Sequence, residues 1–108
     1  ECLHKYSEAV YERTLESFMC LPLAAVVQGR AFCCHGGISP DLRRLSDINR
    51  INRFTEVEYR GLICDIMWSD PHSEYRSECR AWVDNHKRKC SFFYHYPQVC
   101  RFLDDNSL

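Results

Sequence analysis

The chain has 108 residues, 45% of them hydrophobic, and its 14 Lys and Arg against 15 Asp and Glu leave a net charge of -1. That length holds one small core, or part of one, and excludes two domains. The charge balance excludes the broad positive field that gathers nucleic acid or an anionic membrane, and no stretch approaches the roughly 20 apolar residues that span a bilayer.

Near the start, Val10, Tyr11, Leu15 and Phe18 recur at three- and four-residue steps, which predicts an amphipathic helix over Ser7 to Phe18. Pro22 ends it. Leu23 to Gln28 and Ala31 to Cys34 read as two short buried strands of a hairpin around Gly29-Arg30. Gly36-Gly37 breaks the second strand and leaves His35 at its end, while Ser39-Pro40-Asp41 predicts a turn into a short helix. Ser46 is the expected cap of a helix through Ile48 and Ile51, followed by an exposed polar loop over Asn52 to Arg60.

Gly61 to Trp68 is apolar except for Asp65 and predicts a buried helix that stops at Ser69-Asp70-Pro71. Residues 72 to 89 are charged and without periodicity beyond Cys79, Trp82 and Val83, so a loop with a helical turn is expected. The aromatic run Ser91 to Tyr96 suits a strand, and Pro97 opens a helix that sets Val99, Phe102 and Leu103 on one face and ends near Asn106.

Eight cysteines in a chain this short raise the possibility of a secreted disulfide framework. Against it, Cys33, Cys64 and Cys100 sit in apolar runs where a thiol acts as a small buried hydrophobe, and the opening residues show no leader pattern. The absence of any Cys-x-x-Cys pair argues against a four-thiolate zinc site. The location expected is the cytoplasm, and an opening on Glu1 reads as a chain cut from a longer one.

Three places carry side chains suited to chemistry. His35, followed by two glycines that admit close approach, is a candidate metal ligand, though such a His is more often a plain strand terminus. Asp70 can orient an arginine or a water, or be an ordinary turn former before Pro71. In His86-Lys87-Arg88-Lys89 a planar guanidinium can grip phosphate, or the run is a solvated basic loop. The aromatics of Phe92 to Tyr96 have no interleaved Lys or Arg, so a core strand is favoured over a base-stacking platform.

Taken together, Cys34-His35-Gly36-Gly37-Ile38-Ser39-Pro40, Cys64-Asp65-Ile66-Met67-Trp68-Ser69-Asp70-Pro71 and Cys90-Ser91-Phe92-Phe93-Tyr94-His95-Tyr96-Pro97 resemble successive blocks of the calcineurin-like serine/threonine protein phosphatases. Lys5 to Glu12 and Cys20 to Ala25 extend the likeness to nearly the whole chain. The resemblance implies a mixed α/β piece of the metallophosphoesterase fold, a two-sheet β-sandwich flanked by helices, covering residues 1–108 as its central part. It implies hydrolysis of phosphoserine and phosphothreonine by water activated at a binuclear centre of iron with zinc, or of manganese. His35 would ligate one metal, Arg88 would clamp phosphate oxygens, and Asp70 would be a supporting active-site carboxylate.

The family's Gly-Asp-x-His-Gly, Gly-Asp-x-x-Asp-Arg-Gly and Gly-Asn-His-Glu motifs do not occur in these residues. One imidazole does not hold two divalent ions, so the expectation is a piece that is inactive alone and binds no metal by itself; the alternative is a degenerate paralogue serving as an interaction module. Lys89 stands where the family places a Gly after its phosphate-binding arginine, and residues 72 to 87 match it weakly. The resemblance implies phosphoprotein substrates as partners, with a calcineurin-type regulatory subunit and calmodulin engaged, if at all, through regions outside this chain. Neither nucleic acid nor membrane is expected.

Overall fold

The structure is a computed structural model and describes all residues from Glu1 to Leu108. A short helix α1 (Cys2–Lys5) precedes α2 (Glu8–Met19), whose first turn is capped by the Ser7 hydroxyl accepting the Val10 N–H. Its stripe of Val10, Tyr11 and Phe18 is exposed instead of buried, since the short α1 beside it does not cover these side chains. Strands β1 (Ala24–Val27) and β2 (Ala31–Cys34) pair antiparallel with Ala24 opposite Cys34 and Val27 opposite Ala31. The turn centres on Gln28 and Gly29, at φ of 52° and 63°, the left-handed pair that matches strand twist in a two-residue hairpin. The prediction placed it one residue later. These strands are not buried as expected, since a lone two-stranded ribbon leaves both faces open: Val26 and Val27 are exposed, and so is Cys33, whereas Cys34 turns inward.

Helix α3 (Leu45–Asn49) is not capped by Ser46. The Asp47 carboxylate instead accepts the backbone N–H groups of Arg44 (2.7 Å) and Arg43 (3.1 Å), which holds its pKa below the ordinary aspartate range. Asn106, the residue that closes α5 (Tyr96–Asp105), ties the two helices together by accepting the Leu45 N–H and donating to the Arg43 carbonyl. Residues 52 to 60 are exposed loop, as predicted.

The centre is α4 (Leu62–Trp68), which buries Cys64, Asp65 and Ile66. Ile66 joins Ile38, Leu42 and Phe102 in the core, with Phe32 edge-on to Phe102 at 5.0 Å. A three-stranded sheet lies beyond the end of α4 in the order β3 (Asp70–Pro71), β5 (Phe92–Tyr94), β4 (Val83–Asp84). β3 runs parallel and β4 antiparallel to β5, whose Phe93 is buried. β4 corrects the reading of residues 72 to 89 as loop and helical turn: a two-residue strand is too short to impose a period on the sequence. Asp70 likewise lies in strand pairing and not in a free turn.

The arrangement is mixed α/β, with two separate sheets and five helices. Its surface of 8152 Å² exceeds the roughly 6,300 Å² expected of a self-contained protein of this mass. Its radius of gyration of 15.9 Å likewise exceeds the roughly 13 Å of a compact chain. Part of the excess is apolar surface left uncovered on α1, α2 and the turn residues beside them, where Leu3, Tyr6, Phe18 and Leu21 are each about 60% exposed or more.

Candidate active site

The glycines after His35 are required by close approach. Gly36 and Gly37 both direct their N–H groups to the Ile66 carbonyl, at 2.8 and 3.3 Å. A Cβ on Gly36 would lie 2.7 Å from the Met67 carbonyl carbon, and one on Gly37 would enter the Tyr94 ring. The loop is pinned a second time by Ser39, which donates its hydroxyl to the buried Asp65 carboxylate at 2.6 Å and accepts the Asp41 N–H. His35 therefore leaves the end of β2 on a loop clamped to the C-terminal turn of α4, with its ring exposed.

Past that turn, Asp70 and Arg88 meet. Arg88 Nε donates to Asp70 Oδ2 at 2.9 Å and a terminal nitrogen of the guanidinium donates to Oδ1 at 3.3 Å, a two-point pairing of the guanidinium edge with the carboxylate. The Trp68 ring lies under the guanidinium at 5.6 Å. Asn85, fully buried at the end of β4, completes the frame: its amide donates to Asp70 Oδ2 at 2.8 Å and to the Trp68 carbonyl at 3.3 Å. Its side-chain oxygen accepts the Arg88 N–H at 3.1 Å, and its backbone carbonyl accepts the Lys89 N–H at 2.9 Å. One carboxamide thus fixes both the carboxylate that orients Arg88 and the backbone that carries it.

The hydrogen bond from Arg88, opposed by partial burial and reinforced by Asn85 and the cationic charge, holds the Asp70 carboxyl below the ordinary range. Asp70 in turn pushes the Arg88 pKa above its usual value. Both are charged at neutral pH. Burial raises the Tyr94 phenol to about 12, so this ring beside Gly37 is neutral. Lys89 follows with φ of 62°, a left-handed conformation that favours glycine, and its side chain is exposed.

Asp70 and Arg88, both singled out from the sequence, are therefore brought together, whereas no hydrogen bond or ion pair joins His35 to them. Asn85 and Trp68 were missed. The signal for Asn85 was available in its position three residues before Arg88 in a basic turn, where a carboxamide commonly caps the following backbone.

A binuclear metal centre does not fit on these residues alone, because no three His, Cys, Asp or Glu side chains converge anywhere in the chain; His35 offers a single imidazole. All eight cysteines are free thiols. Cys64, buried, has its pKa raised to about 12, first by desolvation and then by the neighbouring Cys90 thiol. It behaves as core.

What this geometry can do is hold an anion. Asp70 occupies the guanidinium edge and leaves the outer N–H groups of Arg88 pointing away from the pair, with the side chain half exposed.

The chain is 44% identical, over its full length, to 21% of the serine/threonine-protein phosphatase 2B catalytic subunit A1 of Saccharomyces cerevisiae. It is 39% identical, again over its full length, to 22% of the A2 subunit of the same yeast. The chain thus spans about a fifth of the length of these relatives. A solved yeast serine/threonine phosphatase described as similar to human phosphatase PP5 superposes with a TM-score of 0.82 at 28% identity, over 99% of this chain and 32% of that one. The profile of the calcineurin-like phosphoesterases matches residues 1–108 without a gap at either end. With its whole length matched, the chain belongs to the calcineurin-like phosphoesterase family.

Proposed function

We propose that these residues form the phosphate-gripping wall of a protein phosphatase that hydrolyses phosphoserine and phosphothreonine. The observation that carries the reading is the Arg88–Asp70–Asn85 frame, in which a guanidinium is held by its edge and keeps an outward fork free. Such a fork matches two oxygens of a phosphoryl group and gains strength as charge accumulates there during transfer. Asp70 acts by orientation: it keeps Arg88 extended and charged. Buried Asn85 makes that orientation rigid. Arg88 is the phosphate ligand, Asp70 its supporting carboxylate, and His35 the imidazole this chain contributes to a metal centre whose other ligands are not among these residues. Phosphoproteins are the substrates in this reading, and metal-dependent turnover requires ligands beyond the 108 residues.

Binding of a phosphoserine peptide to the chain, measured against its unphosphorylated twin, tests the reading. Arg88→Ala is expected to erase the difference, with Arg88→Lys restoring only part because an ammonium lacks the planar fork. Equal binding of both peptides by the unaltered chain refutes it.

A further inference from the structure

Arg88 does not stand alone in its turn. Lys87 and Lys89 flank it directly, both exposed, and neither forms an ion pair with any carboxylate. Lys87 lies over the Phe93 ring at 5.7 Å, which anchors its stem on the core strand. His86 packs against the same ring from the preceding position, at 5.3 Å. Lys89 sits at a left-handed backbone position just before β5, with φ of 62° and its side chain exposed. The carboxylates beside the turn are Asp70, paired with Arg88 and also within the field of Lys87, and Asp84 in β4, which has no ion-pair partner. Three cations against two carboxylates leave the turn positive, and the two unpaired lysines adjoin in sequence the residue that would hold the phosphate.

A phosphoryl group gripped by the outward guanidinium fork of Arg88 leaves each lysine ammonium without an ion-pair partner of its own. The groups able to satisfy them are carboxylates, or further phosphates, carried next to the phosphorylated residue. A substrate with Lys or Arg in those positions would meet like charge on both sides. Resting on the phosphatase reading of the same site, we infer that Lys87 and Lys89 set a substrate preference for phosphoserine or phosphothreonine flanked by acidic residues. Each exposed lysine–carboxylate contact adds little, so two together give a gain of about fivefold at low ionic strength. Salt removes it, because neither cation is buried.

The test measures fluorescence anisotropy of labelled phosphoserine peptides on the full chain, with the phosphoserine flanked on both sides by Glu, by Ala or by Lys. Glu-flanked peptide is expected to bind about fivefold tighter than Ala-flanked, with the Lys-flanked peptide weakest and the spread shrinking in about 0.5 M salt. In the Lys87→Gln/Lys89→Gln variant, with folding verified by its melting curve, the three peptides are expected to bind alike. Equal binding of Glu- and Ala-flanked peptides by the unaltered chain overturns the inference. So does a Glu preference that survives in the double variant. Both outcomes leave the phosphate reading standing as long as Arg88→Ala abolishes binding of the Ala-flanked peptide. Failure of any phosphopeptide to bind better than its unphosphorylated twin overturns both together.

Discussion

Lys89 to Gly should make the chain more stable, although it deletes a side chain. At φ of 62° the Lys89 Cβ crowds its own backbone, a cost of about 1–2 kcal/mol for an L-residue that glycine does not carry. Two terms oppose the gain. Glycine loses more backbone freedom on folding, about 0.5–1 kcal/mol, and the lysine side chain would be missed if it made contacts. It makes none, being exposed and outside every hydrogen bond and ion pair of the site, while the backbone bond from its N–H to the Asn85 carbonyl survives the change. The balance is a stabilisation of about 0.5–1 kcal/mol, or about 3–6 °C in melting temperature for a chain of this size. Thermal melting followed by circular dichroism checks it, with Lys89→Ala as the companion variant. Alanine removes the same charge and retains the crowding, so it should melt within about 1 °C of the parent. If Gly and Ala variants melt together, backbone strain at residue 89 is not the operative quantity and the argument fails.

Asn85→Ala removes three side-chain hydrogen bonds from a buried position and should cost about 2–4 kcal/mol in urea unfolding, with phosphopeptide affinity falling in parallel as Arg88 loses its frame. Asp70 is held below its unfolded pKa, so the stability it contributes is complete above about pH 4 and disappears as pH falls through the lower folded value. Asp70→Asn should therefore lower stability at neutral pH and flatten the acid limb of the stability curve measured by urea midpoint at successive pH values. Gly36→Ala drives a Cβ into the backbone of Met67 and should cost more than about 2 kcal/mol, whereas Gly29→Ala meets no atom and should cost only its left-handed φ, about 1 kcal/mol. Comparable losses at the two glycines would show that the loop carrying His35 is not pinned to α4.

Elements whose own residues dictate their form were legible from the sequence. The spacing of Val10, Leu15 and Phe18, the stop at Pro22 and the run from Leu62 to Trp68 define helices wherever they pack, and both helices lie within a residue or two of expectation. Burial was not legible in the same way. An apolar stripe states that a face prefers cover without supplying it, and α2 shows the difference with its stripe in solvent. β4 escaped notice because two residues cannot display alternation, and its existence depends on β5 arriving beside it. In the candidate site, Arg88 and Asp70 were visible as residue types near glycine, proline and basic neighbours. For Asn85 local order offered only the cap on the Arg88 backbone, since its hold on residues 68 and 70 depends on a fold that gathers them around one carboxamide.

That convergence explains how a small, largely exposed chain holds a guanidinium in one orientation. A surface arginine paired with a surface carboxylate gains little, since both side chains give up rotamers that water would otherwise let them keep. Here the carboxylate is fixed before the arginine arrives. Asp70 is held in backbone pairing with Phe93 of the central strand, and its Oδ2 is tied to buried Asn85. Asn85 is itself bound to the carbonyl of Trp68 at the end of the core helix, so the ordering cost is spread over elements that the core already fixes. The same helix end receives the N–H groups of Gly36 and Gly37, which places the His35 loop and the Arg88 frame on one rigid support although they do not touch. A change in α4 packing should therefore disturb both together, since each is bonded to that helix end and neither to the other.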